Sequence, residues 1–217
     1  MSVAPAAIKP RLRGVSHTWG FAVSLACGAA LIAFARPGRA VTAAAIYAGA
    51  TSALLGTSTL YHRVDWRPAA RRWMRRLDRS MIYVLIAASY TPFALLAMHD
   101  PLATIVLVVV WGGACAGLIL QLAWPDHPKW LAALIAMALG WVAVVTLTQL
   151  PGTIGWAAIG ALAVSGILYS AGAVVYARER PNPKPGVFGY HEVFHALVLA
   201  AVFLHYAVIA FAVLPRG

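Results

Sequence analysis

Seven long apolar runs dominate this chain and limit what it can fold into. Each run approaches the roughly 20 residues that an α-helix needs to cross about 30 Å of hydrocarbon. Backbone N–H and C=O groups in lipid must bond within their own segment, so the runs indicate helices rather than strands. The predicted fold class is therefore all-α, a seven-transmembrane-helix bundle. Its spans are expected near residues 18–35, 41–62, 78–98, 102–123, 130–149, 154–176 and 191–213.

Composition and charge agree with a membrane protein. Hydrophobic residues make up 62% of the 217 residues, whereas soluble domains average about 45–50%. The net charge of +11 comes mainly from Lys and Arg in short segments between the apolar runs. This distribution argues against nucleic acid as a partner and indicates contact with membrane lipids. We expect a short N-terminal segment over residues 1–17 and one membrane domain over residues 18–213.

The distribution of Lys and Arg predicts the orientation. Fourteen of the 17 basic residues lie in the N-terminal segment and in the second, fourth and sixth loops. The other side of the membrane receives only Arg36, Arg39 and Arg216. Because cytoplasmic loops carry the excess of basic residues, we expect a cytoplasmic N-terminus and an external C-terminus.

One stretch near the C-terminus carries the residues for a metal site. His191 and His195 are four residues apart, which places both imidazoles on one face of a helix at a spacing that suits Zn²⁺. The predicted orientation puts them at the cytoplasmic end of the seventh helix. His62 ends the second run and Asp78 opens the third, so both lie at the same depth. Ser58 lies one turn deeper than His62.

Three imidazoles with one open coordination position have the stoichiometry of a catalytic zinc site. We therefore predict His62, His191 and His195 as zinc ligands, and Asp78 and Ser58 as catalytic residues. Simpler roles exist for each of them. His62 could be a solvated interfacial residue, Asp78 could pair with nearby arginines at a helix N-terminus, and Ser58 could bond its own backbone. Their common depth favours the shared site.

The stretch from His191 to His195 also matches H-E-x-x-H, in which Glu192 would be the general base of a zinc protease. That function needs a third ligand downstream. The extended pattern would require Gly and His where the chain has Val198 and Ala201. His205 lies about 15 Å farther along the helix than His195, too far to share an ion with it. We reject the protease hypothesis and leave Glu192 outside the site.

Taken as an ordered set, these motifs resemble the hemolysin III proteins of bacteria, within the progestin and adipoQ receptor (PAQR) group and related in turn to alkaline ceramidases. The resemblance covers roughly residues 15–213. Its carriers are Ser58-Thr59-Leu60-Tyr61-His62, Leu77-Asp78-Arg79-Ser80 with Ala88-Ser89-Tyr90-Thr91-Pro92-Phe93, and His191-Glu192-Val193-Phe194-His195.

The resemblance implies a seven-helix bundle in the bacterial plasma membrane. It also implies Zn²⁺ held by His62, His191 and His195, with a water bridging to Asp78. Some members of the group look like lipid amide hydrolases, whereas others act as receptors. The chain departs from the family pattern at Arg79, where members often carry His, and Glu192 is not a required family residue.

Three functions therefore stand as hypotheses. The first is a zinc-dependent membrane hydrolase acting on a lipid amide or ester substrate. The second is a non-enzymatic sensor or receptor in which zinc is structural. The third is a pore-forming cytolysin, which ranks last because no helix outside the site carries a stripe of ionisable residues. His17, His99 and His127 receive no role, and Gly113 and Gly117 have the G-x-x-x-G spacing of close helix packing.

Overall fold

The computed structural model describes residues 9–217, so residues 1–8 of the expected N-terminal segment lie outside the described residues. Over the described range the chain is helical and has no strand beyond one isolated bridge between Lys184 and Phe188. Seven of its helical segments are long and apolar enough to cross a membrane, which confirms the predicted fold class. The helices are α1 (Val15–Ala33), α2 (Arg39–Arg63), α3 (Pro68–Leu96), α4 (Leu102–Ala123), α5 (Lys129–Trp141), α6 (Ala143–Thr146), α7 (Leu150–Ile154), α8 (Trp156–Arg178) and α9 (Tyr190–Val208), followed by a π-helical turn (Ile209–Val213) and a 3₁₀ turn (Leu214–Arg216).

The spans form a closed bundle with two of them near its centre. Each span packs against the next along the chain, and α9 closes the bundle by contacting both α8 and α1. The spans α2 and α3 bury more of their length than the other five. Tyr47 of α2 donates a hydrogen bond to the Val202 carbonyl of α9. Helix α2 therefore packs along α3 and is linked to α9 by this hydrogen bond, and these three helices carry the predicted site residues.

The Arg-rich segment 63–79 was expected to be a loop, and that expectation is wrong for most of it. Helix α3 begins at Pro68, ten residues before the predicted start. Proline is favoured in the first turn of a helix because it needs no N–H partner there, and arginine is a good helix former. A search for apolar runs finds only the part of a helix that lies in hydrocarbon, so it misses this charged first section.

The fifth span is interrupted rather than continuous over the predicted run 130–149. Helix α5 ends at Trp141 and a separate turn, α6, follows from Ala143. The Tyr90 hydroxyl of α3 lies 3.0 Å from the Leu139 carbonyl oxygen and 2.5 Å from that of Gly140. Carbonyl groups at such a break need a partner within the protein, since lipid offers none. Tyr90 supplies it.

The G-x-x-x-G pair on α4 does allow close packing. At Gly117 an added Cβ would lie 2.6 Å from Cγ of Tyr83 on α3, whose ring is buried. At Gly113 the nearest atom would be the end of the Leu139 side chain, at 2.3 Å. Gly112, on the exposed side of the same helix, has nothing within 4 Å of a Cβ. Gly117 therefore sets the approach of α3 and α4.

We expect Gly117→Ala to lower the free energy of unfolding by about 1–3 kcal/mol, because the Tyr83 ring is confined and must shift. Gly112→Ala is the matched control on the same helix. It should be neutral or stabilising by up to about 1 kcal/mol, because Ala favours a helix over Gly. Thermal unfolding of both variants in detergent checks this. Equal unfolding temperatures for the two would contradict the packing argument.

Candidate metal centre and the adjoining cavity

The first turn of α9 is fixed by Glu192. Its carboxylate accepts a hydrogen bond from the Gly189 backbone N–H at 2.8 Å, and it also accepts one from Arg13 just before α1. Only 3% of the Glu192 side chain is exposed. Both carboxylate oxygens thus have partners, Oε2 with Gly189 and Oε1 with Arg13. Glu192 caps α9 and joins it to the N-terminal segment, which is a structural role.

Three histidines from two helices converge at this end of the bundle. The Nε2 atoms of His62 on α2 and His191 on α9 lie 3.1 Å apart. The rings of His191 and His195 have centroids 4.5 Å apart, as expected for residues one turn apart on a helix. Each of the three offers one ring nitrogen within 4.8 Å of the others. The structure therefore brings the three predicted ligands together.

This donor set fits a zinc ion. At Zn–N distances of about 2.0–2.1 Å, two imidazole nitrogens on a tetrahedral ion lie about 3.3 Å apart, close to the separation of His62 and His191. His195 Nδ1 is buried and has no hydrogen-bond partner among the described residues. Buried polar atoms rarely stay unpaired without a reason. Three neutral imidazoles facing one another are a set that a zinc ion satisfies.

Asp78 and Ser58 both line the same polar pocket as the three histidines. The Asp78 Oδ2 atom lies 3.9 Å from His62 Nε2, which is beyond hydrogen-bond range. Ser58 is buried on α2, one turn from His62, and its Oγ lies 2.8 Å from Nδ1 of His17. The carboxylate therefore borders the histidine cluster without joining it, and the serine contacts a residue that was given no role.

That residue, His17, is the part of the site that the sequence analysis missed. Its ring stacks on the His195 ring with centroids 3.7 Å apart and planes 5° apart, and only 3% of the residue is exposed. His17 lies in the first turn of α1. The depth argument that grouped His62 with Asp78 applies to it as well, because its position at the start of the first run puts it at the same end of the bundle.

The N-terminal segment lies against this cluster. The backbone N–H groups of Arg11 and Leu12 donate to the carbonyls of Gly186 and Val187 in the α8–α9 loop. Gly14 follows with φ of 80°, the left-handed region that favours glycine. A Cβ at Gly14 would lie 2.6 Å from Cβ of His62. The chain before α1 therefore packs directly on one of the candidate ligands.

The polar pocket adjoins a larger apolar cavity. The pocket has a volume of about 180 Å³ and the cavity about 400 Å³. The cavity is bounded mainly by α3, α5, α8 and α9, and its polar lining is sparse. Both spaces share the side chains of Leu54, Arg79, Ile82, Tyr176 and Phe194. A ligand with a polar head and an apolar chain could occupy the two together.

The remaining histidines lie apart from the cluster. His99 is exposed after α3. His127 is buried in the α4–α5 loop, where Nδ1 lies 3.2 Å from the Pro128 carbonyl oxygen. His205 lies farther along α9 and lines the apolar cavity. Arg79 donates a hydrogen bond to the Pro125 carbonyl at 2.9 Å, at the junction of the two spaces.

Comparison with known proteins adds the family. The family profile described as "Haemolysin-III related" matches residues 6–206. The chain is 29% identical to Hemolysin-3 of Bacillus cereus, over 82% of this chain and 78% of that protein. It is 29% identical to the Hemolysin-3 homolog of Bacillus subtilis (strain 168), over 66% of this chain and 64% of that protein. It is 28% identical to the monocyte to macrophage differentiation factor of Homo sapiens, over 74% of this chain and 66% of that protein.

The profile match extends over more than nine-tenths of the chain and includes all seven histidines. His17, His62, His191 and His195, which form the site, are among them. The seven apolar helices agree with these relatives in indicating a multi-pass membrane protein. The chain belongs to the haemolysin III-related family, within the progestin and adipoQ receptor group.

Proposed function

We propose that this membrane protein is a zinc-dependent hydrolase that cleaves a lipid amide or ester, with its site near the cytoplasmic face. The observation that carries the proposal is the convergence of His62, His191 and His195 beside the Asp78 carboxylate, at the mouth of an apolar cavity. The cytoplasmic position rests on the uneven distribution of Lys and Arg between the loops.

His62, His191 and His195 would hold the zinc ion. Bound there, zinc would polarise the substrate carbonyl and make a nearby water more acidic. Three protein ligands leave one coordination position for substrate or water, which is the arrangement of catalytic zinc sites. The N-terminal segment contacts both helices, since Arg13 pairs with Glu192 of α9 and Gly14 packs on His62 of α2, and it would thereby help to position the three imidazoles.

Asp78 is the proposed general base and acid. Its carboxylate lies 3.9 Å from His62 Nε2, near the cluster and outside direct contact with it. As the oxygen of a water bonds to the carbonyl carbon, Asp78 takes the proton that this water loses. It then gives that proton to the leaving nitrogen or oxygen as the C–N or C–O bond breaks. The products are a fatty acid and an amine or an alcohol.

Ser58 is proposed to stabilise negative charge on the carbonyl oxygen. The contact of 2.8 Å with His17 matters for this role. A serine hydroxyl has one hydrogen and accepts through its lone pairs. If His17 Nδ1–H donates to Ser58 Oγ, the hydroxyl hydrogen of Ser58 can point into the pocket that it shares with Asp78, where it would donate to the developing oxyanion once substrate is bound. His17 is then a positioning residue that orients Ser58 and packs on His195.

The apolar cavity is proposed to hold the acyl chain of the substrate. Its volume of about 400 Å³ falls within the about 300–1,000 Å³ of small-molecule sites. Its lining is mainly aliphatic and aromatic, and it joins the polar pocket through Leu54, Ile82 and Phe194 among others. The substrate's carbonyl would then lie at the junction, between the histidine cluster and the cavity.

The rival function is a receptor or sensor with structural zinc. One relative of this chain carries the name Adiponectin receptor protein. A structural zinc normally has four protein ligands, and the group of side chains here whose ligand atoms all lie within 4.8 Å of one another contains three histidines and not Asp78. The three-ligand set favours the hydrolase. A cytolytic activity has only the names of the Bacillus relatives in its favour.

We expect Asp78→Asn to reduce hydrolysis by about 10²- to 10⁴-fold, because it removes the proton acceptor and keeps the side-chain shape. Zinc content should be unchanged. The assay is turnover of N-acyl sphingosines and acyl esters by detergent-purified protein, with zinc measured in the same samples. Asp100→Asn is the control, since Asp100 is exposed before α4, at the other end of α3 from Asp78. Full turnover by Asp78→Asn would overturn the proposed mechanism.

We expect His17→Ala to weaken zinc binding by about 10- to 100-fold, the usual cost of losing a residue that supports a metal ligand. His17→Asn, whose amide can still donate to Ser58, should recover part of the turnover but not the stacking on His195. Competition with a zinc chelator measures the affinity, and His99→Ala is the control. If His17→Ala matches the wild type in both affinity and turnover, His17 does not support the site.

A further inference from the structure

His205 is a half-buried histidine that lies outside the proposed catalytic site. It lies on α9 about 15 Å beyond His195, at 1.5 Å per residue, and it lines the far part of the apolar cavity. The rings of Phe93 and Tyr169 lie beside it, with centroids at 6.3 Å and 5.8 Å. Ionisable side chains within a membrane are rare, and they usually face a cavity that has a function.

A hydrogen-bond chain fixes the state of the His205 ring. Ser165 Oγ on α8 lies 2.6 Å from His205 Nδ1 and donates to the Ala201 carbonyl at 3.1 Å. A serine hydroxyl has only one hydrogen to donate. Both contacts are satisfied together when Nδ1 carries the proton and donates it to Ser165. The network therefore assigns the neutral tautomer in which Nε2 is an acceptor.

The acceptor atom Nε2 is available to a ligand in the cavity. Among residues 9–217, the hydrogen bonds of the His205 side chain involve Nδ1 and give Nε2 no protein partner. The rings of Phe93 and Tyr169 lie beside the His205 ring, and the rest of the cavity lining is mainly aliphatic. An acceptor that faces an apolar space without a donor is costly. A ligand that brings a hydroxyl to this point would remove that cost.

We propose that the apolar cavity binds a lipid with a hydroxyl group along its chain, and that His205 Nε2 accepts a hydrogen bond from that hydroxyl. The distance from the histidine cluster, about 15 Å along α9, is about half the thickness of the hydrocarbon core. We therefore expect the hydroxyl about midway along a long acyl chain or nearer to its methyl end. The proposal depends on the proposed function in one respect, which is the orientation of the lipid with its polar end at the histidine cluster.

The test is competition binding to the full chain in nanodiscs. Radiolabelled stearate is displaced by 12-hydroxystearate, by stearate or by 12-oxostearate. Because Nε2 is an acceptor, 12-hydroxystearate should compete about three- to tenfold better than stearate, the range of one hydrogen bond within a membrane protein. The ketone of 12-oxostearate is also an acceptor and cannot donate, so 12-oxostearate should gain nothing over stearate.

Two replacements of His205 separate its hydrogen bond from its volume. His205→Phe keeps a ring without the acceptor and should remove the preference for 12-hydroxystearate. His205→Gln keeps a polar group near the position of Nε2 and should retain part of the preference. Phe203→Leu is the control, since Phe203 is 70% exposed on the lipid-facing side of the same helix. It should leave the preference unchanged.

The outcomes separate this proposal from the hydrolase. The preference should persist after zinc is removed with a chelator, because binding in the far part of the cavity needs no turnover. Equal competition by 12-hydroxystearate and stearate, no binding of either, or a preference that survives in His205→Phe would overturn the proposal. An equal gain for 12-oxostearate would also overturn it. If His205→Phe does not fold, the comparison of the three competitors on the wild type decides.

Discussion

The meeting of the His62 side chain from α2 with those of His191 and His195 from α9, at one end of the bundle, is the contact on which the rest of the site depends. It places His62 against His191 and His195 in a polar pocket at that end of the bundle. The Arg13–Glu192 pair and the capping of α9 by Glu192 hold the helix start in place. Gly14 allows the N-terminal segment to pack on His62. The one ion pair between the N-terminal segment and α9 among the described residues thus lies directly beside these imidazoles.

The sequence was sufficient for the seven-helix fold class and for the three histidines that converge. Long apolar runs leave few choices in a membrane, and a helical spacing of four fixes His191 beside His195 whatever the packing. Depth inferred from charge then brought in His62 and Asp78. Each of these steps depends on local pattern or on position relative to the membrane, and the structure agrees with them in bringing the three histidines together.

Tertiary contacts decided the rest. The apolar runs predict a loop at the charged start of α3, because hydropathy indicates which residues lie in lipid and not which residues form a helix. His17 has no helical partner in sequence, and only the packing of α1 against α9 and α2 reveals its stacking on His195 and its contact with Ser58. His205 was excluded from the metal by distance along the helix. The role proposed for it depends on Ser165 of α8, whose contact with Nδ1 assigns the tautomer of the ring.

The most direct measurement is the zinc content of detergent-purified protein by mass spectrometry, for wild type, His62→Ala and His99→Ala. His62 lies in the histidine cluster, whereas His99 is exposed at the other end of α3 from Asp78. The account predicts about one zinc per chain in the wild type and in His99→Ala, as for a single site, and a large loss in His62→Ala. A folded wild type that takes up no zinc when supplied with it, or a His62→Ala variant that keeps a full complement, would contradict the central claim.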